Sequence, residues 1–289
     1  MSGSRTRRDF VGLGSRAILL GGLFTLRPLR AFAATSLSKA YNFLDSMMDR
    51  YASGSTLRLS QSYVPTAALN LGDIAFTYDN AVVLTAFLQR GQGDDPTRAN
   101  VLGESLVYAQ QHDPIGDGRV RNSYHANHFI LSNGSVRIGD AGTYTGNMAW
   151  AGMALAQLYK KTQTQSYLDA AVSIGNWIQN KTHDTRGAGG YTGGVSTQGK
   201  LLYKSTENNI DVWALFTMLA SLTGDATWTT RAQYAHTFIV SMWNPLSSPG
   251  FFWTGTNTDG VTINTSFIPE DCQSWSYLAL QDPVYAASR

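Results

Sequence analysis

The chain has 289 residues, 43% of them hydrophobic, 11% aromatic and only 15% charged, with a formal net charge of +2. Six arginines against one aspartate give the first 33 residues a net +5, so the remainder carries −3. A body with net negative charge gives no case for a nucleic-acid partner bound by counterion release, and the single cysteine, Cys272, excludes an internal disulfide and a cysteine-based metal cluster.

Residues 1–33 read as an export signal. Thr6-Arg7-Arg8-Asp9-Phe10-Val11 has the twin-arginine pattern, and an apolar run follows from Ala17 to Leu26. Ala31-Phe32-Ala33 supplies the small residues that a signal peptidase reads. The apolar run is about half of the roughly 20 residues a membrane span needs. These features predict a periplasmic or secreted protein, exported by the twin-arginine route and without stable membrane association once the signal is removed.

The rest, residues 34–289, is expected to form one mostly helical domain. LSKAYNFLDSMMDRYAS (36–52) predicts a first, outer helix without a preceding partner. Four segments then share a polar head and an apolar body: TYDNAVVLTAFL (77–88), TGNMAWAGMALAQL (145–158), TENNIDVWALFTML (206–219) and EDCQSWSYLAL (270–280). Their heads recur every 60 to 70 residues, which marks a tandem of similar units. After each of the first three comes a tight turn and a striped helix. In the second such helix Tyr167, Ala171, Ile174 and Ile178 share one face, and in the third Trp228, Ala232, Ala235, Ile239 and Met242 do so.

Helices apolar on all sides need neighbours on all sides, whereas striped helices need them on one. Inner helices ringed by outer ones meet both demands, so the expected fold is all-α, an (α/α) toroid of tandem helical hairpins. The loops around 122–142, 187–200 and 249–264 are rich in Gly, aromatics and Asn, and their alternating stretches predict short β-hairpins. Each joins an outer helix to the next inner one, so all lie at the end where the heads lie. QDPVYAASR (281–289) only begins a fourth outer helix. The expectation is therefore an open or shortened toroid, or a piece of a longer protein.

Six acids lie at or near the heads: Asp79, Asp140, Glu207, Asp211, Glu270 and Asp271. Glu207 and Asp211 are four residues apart and project from one helix face, where they repel and one holds its proton to higher pH than a free carboxylate. A split pair of that kind suits general acid–base chemistry. Capping of the helix start beside Ser205 and Thr206 competes with this reading, and helix-start stabilisation competes at Asp79. Asp140, bracketed by Gly139 and Gly142, suits either a turn or a catalytic loop. Asp211, Glu207, Asp140 and Asp79 are the catalytic candidates. Tyr124, Tyr144, Asn147, Tyr191, Asn208, Trp253 and Glu270 are the candidate substrate contacts, since rings and amides beside acids suit sugars. Trp150, Trp213 and Trp275 read as core. His125 and His128 read as structural, and no zinc, P-loop or nucleophile-elbow motif occurs, so neither metal nor cofactor is expected.

The heads Tyr78-Asp79-Asn80-Ala81, Gly146-Asn147-Met148-Ala149-Trp150 and Ser205-Thr206-Glu207-Asn208-Asn209-Ile210-Asp211, with Ile268-Pro269-Glu270-Asp271-Cys272-Gln273-Ser274-Trp275, resemble those of the six-hairpin, or (α/α)6-toroid, glycosidase superfamily. The resemblance covers residues 36–289 and implies carbohydrate chemistry by acids in the toroid mouth, without fixing the family. The expected activity is glycoside hydrolysis of a polysaccharide or oligosaccharide. Glu207 or Asp211 would protonate the leaving oxygen, with Asp140 or Asp79 as base or nucleophile. A non-catalytic glycan-binding protein is one alternative. A lyase or sugar epimerase using Tyr144, His125 or Arg137 is another.

Overall fold

The computed structural model describes residues 26–66, 71–246 and 250–287. The arginine pair and most of the apolar run of the export signal lie outside the described residues. Ala31–Ala33 fall within helix α1 (Leu26–Met48), which also contains most of the first predicted helix. The chain divides after Ser46, and the unit from Met47 onward carries the repeated hairpins.

In that unit α2 (Thr77–Arg90), α4 (Thr145–Thr162), α6 (Thr206–Thr223) and α8 (Glu270–Leu280) are the four predicted polar-headed helices. The first three are each followed by an outer partner: α3 (Asp95–Gln111), α5 (Gln165–Thr182) and α7 (Ala226–Ser241). The inner helices are neighbours in chain order, α2 on α4, α4 on α6 and α6 on α8, and each outer helix backs its own inner one. This is the toroid pattern that the two kinds of apolar surface demanded. The turns between partners are short because α2 and α6 end on Gly91 and Gly224, whose left-handed backbone reverses the chain at once. A 3-10 turn, Pro283–Ala287, follows α8.

The loops form small antiparallel sheets. β1 (Ile74–Phe76) pairs with β2 (Ser123–His125), β3 (Thr143–Tyr144) with β4 (Gly194–Ser196), β4 with β5 (Gly199–Leu201), and β6 (Trp243–Asn244) with β7 (Phe251–Phe252).

Two positions hold these loops in α2, α4 and α6, and one of them, the fourth, does so in α8. The first residue of α2, α4 and α6 is a buried threonine. The hydroxyls of Thr77, Thr145 and Thr206 donate to the carbonyls of Arg121 (2.6 Å), Thr192 (2.5 Å) and Trp253 (2.6 Å). Their backbone N–H groups donate to the next carbonyls, those of Asn122, Gly193 and Thr254. The fourth residue grips the loop that precedes the helix. Asn80 clamps the backbone of Ser60, Asn209 that of Tyr191 and Gln273 that of Phe252, each accepting from the N–H and donating to the C=O. In α4 the place belongs to Met148, whose sulfur accepts from Val120 N–H at 3.3 Å. Loop backbone that would otherwise be buried unpaired is thereby satisfied, and the loops are fixed over the helix heads.

Candidate active site

With the first and fourth positions committed to loops, the second and sixth turn toward the middle of the inner helices. The second positions are Tyr78, Gly146, Glu207 and Asp271; the sixth are Val82, Trp150, Asp211 and Trp275. Ring contacts record the convergence: Tyr78 meets Trp150 edge-on at 5.3 Å, and Trp150 meets Trp275 at 5.7 Å. Gly146 keeps α6 close to α4, because a Cβ there would lie 2.5 Å from Asn208 Oδ1 and 3.3 Å from Asp211 Oδ2.

Asp211 is 3% exposed and forms the polar end of an apolar groove walled by Trp150, Met153, Ile210, Trp275 and Leu278. Burial raises its pKa well above the ordinary aspartate value, and the charges of Glu207 and Asp271 raise it further. The indole N–H of Trp150 acts in the opposite direction. It does not form a hydrogen bond of ordinary geometry, since Trp150 Nε1 and Asp211 Oδ2 are both buried without a partner. Asp211 therefore holds its proton to higher pH than an ordinary aspartate. Glu207, one turn above, is half-buried, and its pKa is raised by burial and then by Asp271. The cap of α6 is made by Ser205, whose hydroxyl oxygen accepts from Asn208 N–H, so neither Glu207 nor Asp211 is needed as the side-chain cap.

Asp79 sits at the third position of α2. Burial raises its pKa, offset in part by a hydrogen bond from Ser62. It shares with Glu207 a cavity of about 310 Å³, lined also by Tyr63, Phe76, Tyr78 and Asn147. Glu207 is also in the wall of a second, larger cavity of about 540 Å³ under the 254–267 loop, together with Asn208.

Asp140 is connected to this site through a chain of amides. Its carboxylate accepts from Asn122 Nδ2 at 2.7 Å and from Gly142 N–H at 2.8 Å, with the Tyr144 hydroxyl at 3.5 Å. Asn122 Oδ1 in turn accepts from Asn147 Nδ2. Both carboxylate oxygens of Asp140 are thus engaged within the protein.

Of the predicted sugar contacts, Asn147 and Asn208 line the cavities and Tyr144 is half-buried beside Asp140. Tyr124 and Tyr191 do not fit the role expected of them: both are fully buried. The Tyr124 hydroxyl accepts from Arg121 N–H, and that of Tyr191 donates to Gln179, because each ring fills core space just where a gripped loop dives beneath the helix heads. Trp253 packs edge-on against Phe251 at the margin of the α8 cluster. Glu270 is exposed at the first position of α8, while Asp271 beside it carries the charge felt by Glu207, Asp211 and Tyr78. His125 and Arg137 are paired with Asp73, and neither lines the two cavities. Trp150 and Trp275, expected as core, are groove walls. The sequence reading missed Tyr78 as a mouth residue and preferred Glu270 to Asp271; the four-residue step to Trp275 was the available signal. Among the described residues no group of three His, Cys, Asp or Glu could hold a metal ion, and no helix is long and apolar enough to cross a membrane.

No protein-family model and no curated sequence matches the chain. Solved structures do. A D-mannose isomerase matches with a TM-score of 0.66 at 14% identity, over 87% of this chain and 66% of its own. An α-amylase from Clostridium perfringens matches at 0.62 and 8% identity, over 86% and 66%. A family 76 glycoside hydrolase (mannosidase) from Bacteroides thetaiotaomicron matches at 0.59 and 14%, over 86% and 68%. The chain thus shares the (α/α)-toroid fold of these proteins, and it spans about two thirds of their length.

Proposed function

We propose that the chain is an exported glycoside hydrolase acting on a polysaccharide or oligosaccharide, with Glu207 and Asp79 as the working carboxyl groups. The observation that carries this is their placement: of the acids at the helix heads, these two face one open cavity, which Tyr78 and Asn147 also line. Glu207 holds its proton to higher pH than a free glutamate and protonates the glycosidic oxygen. Asp79 acts from α2 either as the base that takes a proton from the water attacking the sugar carbon or as the nucleophile whose glycosyl ester water then hydrolyses. Asp211, 3% exposed at the end of the apolar groove, does not line the cavity that Glu207 and Asp79 share. Asp140 positions Asn147 through Asn122. Export rests on the twin-arginine pattern and the Ala31-Phe32-Ala33 site.

The test is incubation of residues 34–289 with a panel of polysaccharides, with products identified by mass. Glu207→Gln and Asp79→Asn are expected to lower hydrolysis by about 100-fold or more each, the usual contribution of a positioned acid or base. Full activity in both variants would overturn the assignment, and products absorbing in the ultraviolet would indicate a lyase.

A further inference from the structure

We infer that the site takes an uncharged glycan chain continuing on both sides of Glu207, so that scission falls inside the chain and not at its end. This rests on the hydrolase reading for the word scission, but the binding geometry stands by itself. Glu207 is a wall of two cavities, one toward Asp79 and Asn147 and the other beneath the 254–267 loop. Their volumes, about 310 Å³ and 540 Å³, each fall in the range of small-ligand pockets. A sugar bound in only one of them would leave the other unused, whereas a chain passing Glu207 fills both and places a glycosidic oxygen at the carboxyl group.

The larger cavity is built for hydroxyls. Asn208, Thr254, Asn257 and Thr258 line it with amide and hydroxyl groups. Phe267, 56% exposed, stands in its wall, where a ring can cover the apolar face of a sugar. The charge pattern then selects among glycans. Among the described residues Lys204 is the one basic residue lining either cavity, and its ammonium is turned inward, donating to the carbonyls of Arg186 and Gly189 with the side chain 0% exposed. The acids Asp79 and Glu207 face the space with no cation opposite them in its lining. A uronate or sulfated chain would meet carboxylates and no counter-charge, and a desolvated like-charge contact is unfavourable.

The experiment is calorimetric titration of the Glu207→Gln protein with manno-, cello-, malto- and xylo-oligosaccharides of two to six units and with oligogalacturonides. For at least one neutral series, affinity is expected to rise about tenfold or more from dimer to hexamer, and oligogalacturonides are expected not to bind. Adding Phe267→Ala or Asn257→Ala should remove most of that rise. Affinity independent of length, binding of the galacturonides in preference, or no binding of any neutral series would overturn the inference. Length-dependent binding without hydrolysis by the unsubstituted protein would remove the hydrolase reading and leave this one standing. Hydrolysis that releases only terminal sugars would do the reverse.

Discussion

Glu207 and Asp271 occupy the same second position of the neighbouring inner helices α6 and α8, each four residues ahead of a side chain that lines the groove below, Asp211 and Trp275. Equivalent register puts two carboxylates on facing turns, and the Asp271 charge is one cause of the raised proton affinity of both Glu207 and Asp211. If Glu207 is the proton donor, Asp271→Asn removes a repulsion and lowers its pKa. The alkaline limb of the activity profile should then move to lower pH. Glu270→Gln, one residue earlier and exposed, should leave the profile where it is. A kcat/KM profile against pH for the two variants checks the pair, and equal shifts would show that the register argument is wrong.

Asp211 allows a test that needs no substrate. Its folded pKa lies well above 3.8, so the folded state binds its proton more tightly than the unfolded chain does. The associated stability is fully present below the ordinary aspartate value and is lost as pH rises toward the folded pKa, at about 1.4 kcal/mol per pH unit. Asp211→Asn keeps the shape and removes the titration. Relative to that variant, the unsubstituted protein should lose Tm as pH rises from about 4 to about 7. A Tm difference that stays constant over this interval would mean that Asp211 ionises normally.

The hairpin repeat was legible in sequence because it is written in burial: four bodies of Ala, Leu, Met and Trp, and outer helices with a single apolar stripe. The mouth was legible only in part. Glu207, Asp79, Asn147 and Asn208 follow from their place in a helix head, but the choice between Glu270 and Asp271 depends on where α8 begins, and Pro269 permits either register. The clamps at Asn80, Asn209 and Gln273 were not read at all, since Met148 holds the same place in α4 and breaks the pattern. Tyr124 and Tyr191 were misread for a related reason. A glycine-rich, aromatic loop looks alike whether it stands over a cavity or is pulled under a helix head, and only the clamp partner, distant in sequence, decides which.

Asp140 can be separated from the carboxyls that face the cavity. As a positioning residue it acts through Asn122 on Asn147, so Asp140→Asn and Asn122→Ala should each lower kcat/KM by about 10- to 100-fold, the worth of a hydrogen bond to a charged group. The double variant should be no worse than either single one, because all three break the same relay. Additive losses, or a loss confined to Asp140→Asn, would instead place its carboxylate in contact with substrate.

The clamps predict a division between stability and function within one helical turn. Asn209 gives its whole amide to backbone: Oδ1 accepts from Tyr191 N–H at 2.8 Å, and Nδ2 donates to the carbonyls of Tyr191 (3.0 Å) and Ser205 (2.8 Å). Asn209→Ala strands a buried donor and acceptor beneath α6 and should cost about 2–3 kcal/mol in urea unfolding. Asn208, the preceding residue, is half-buried in the cavity wall, and Asn208→Ala should change stability by less than about 0.5 kcal/mol while weakening the binding of sugar chains. The contrast follows from helix geometry, since adjacent residues point about 100° apart and one of them holds the loop while the other faces the space the loop encloses. Comparable unfolding losses in the two variants would mean that the third position of α6 also belongs to the scaffold, and the second cavity would then lose one of its polar walls as a binding surface.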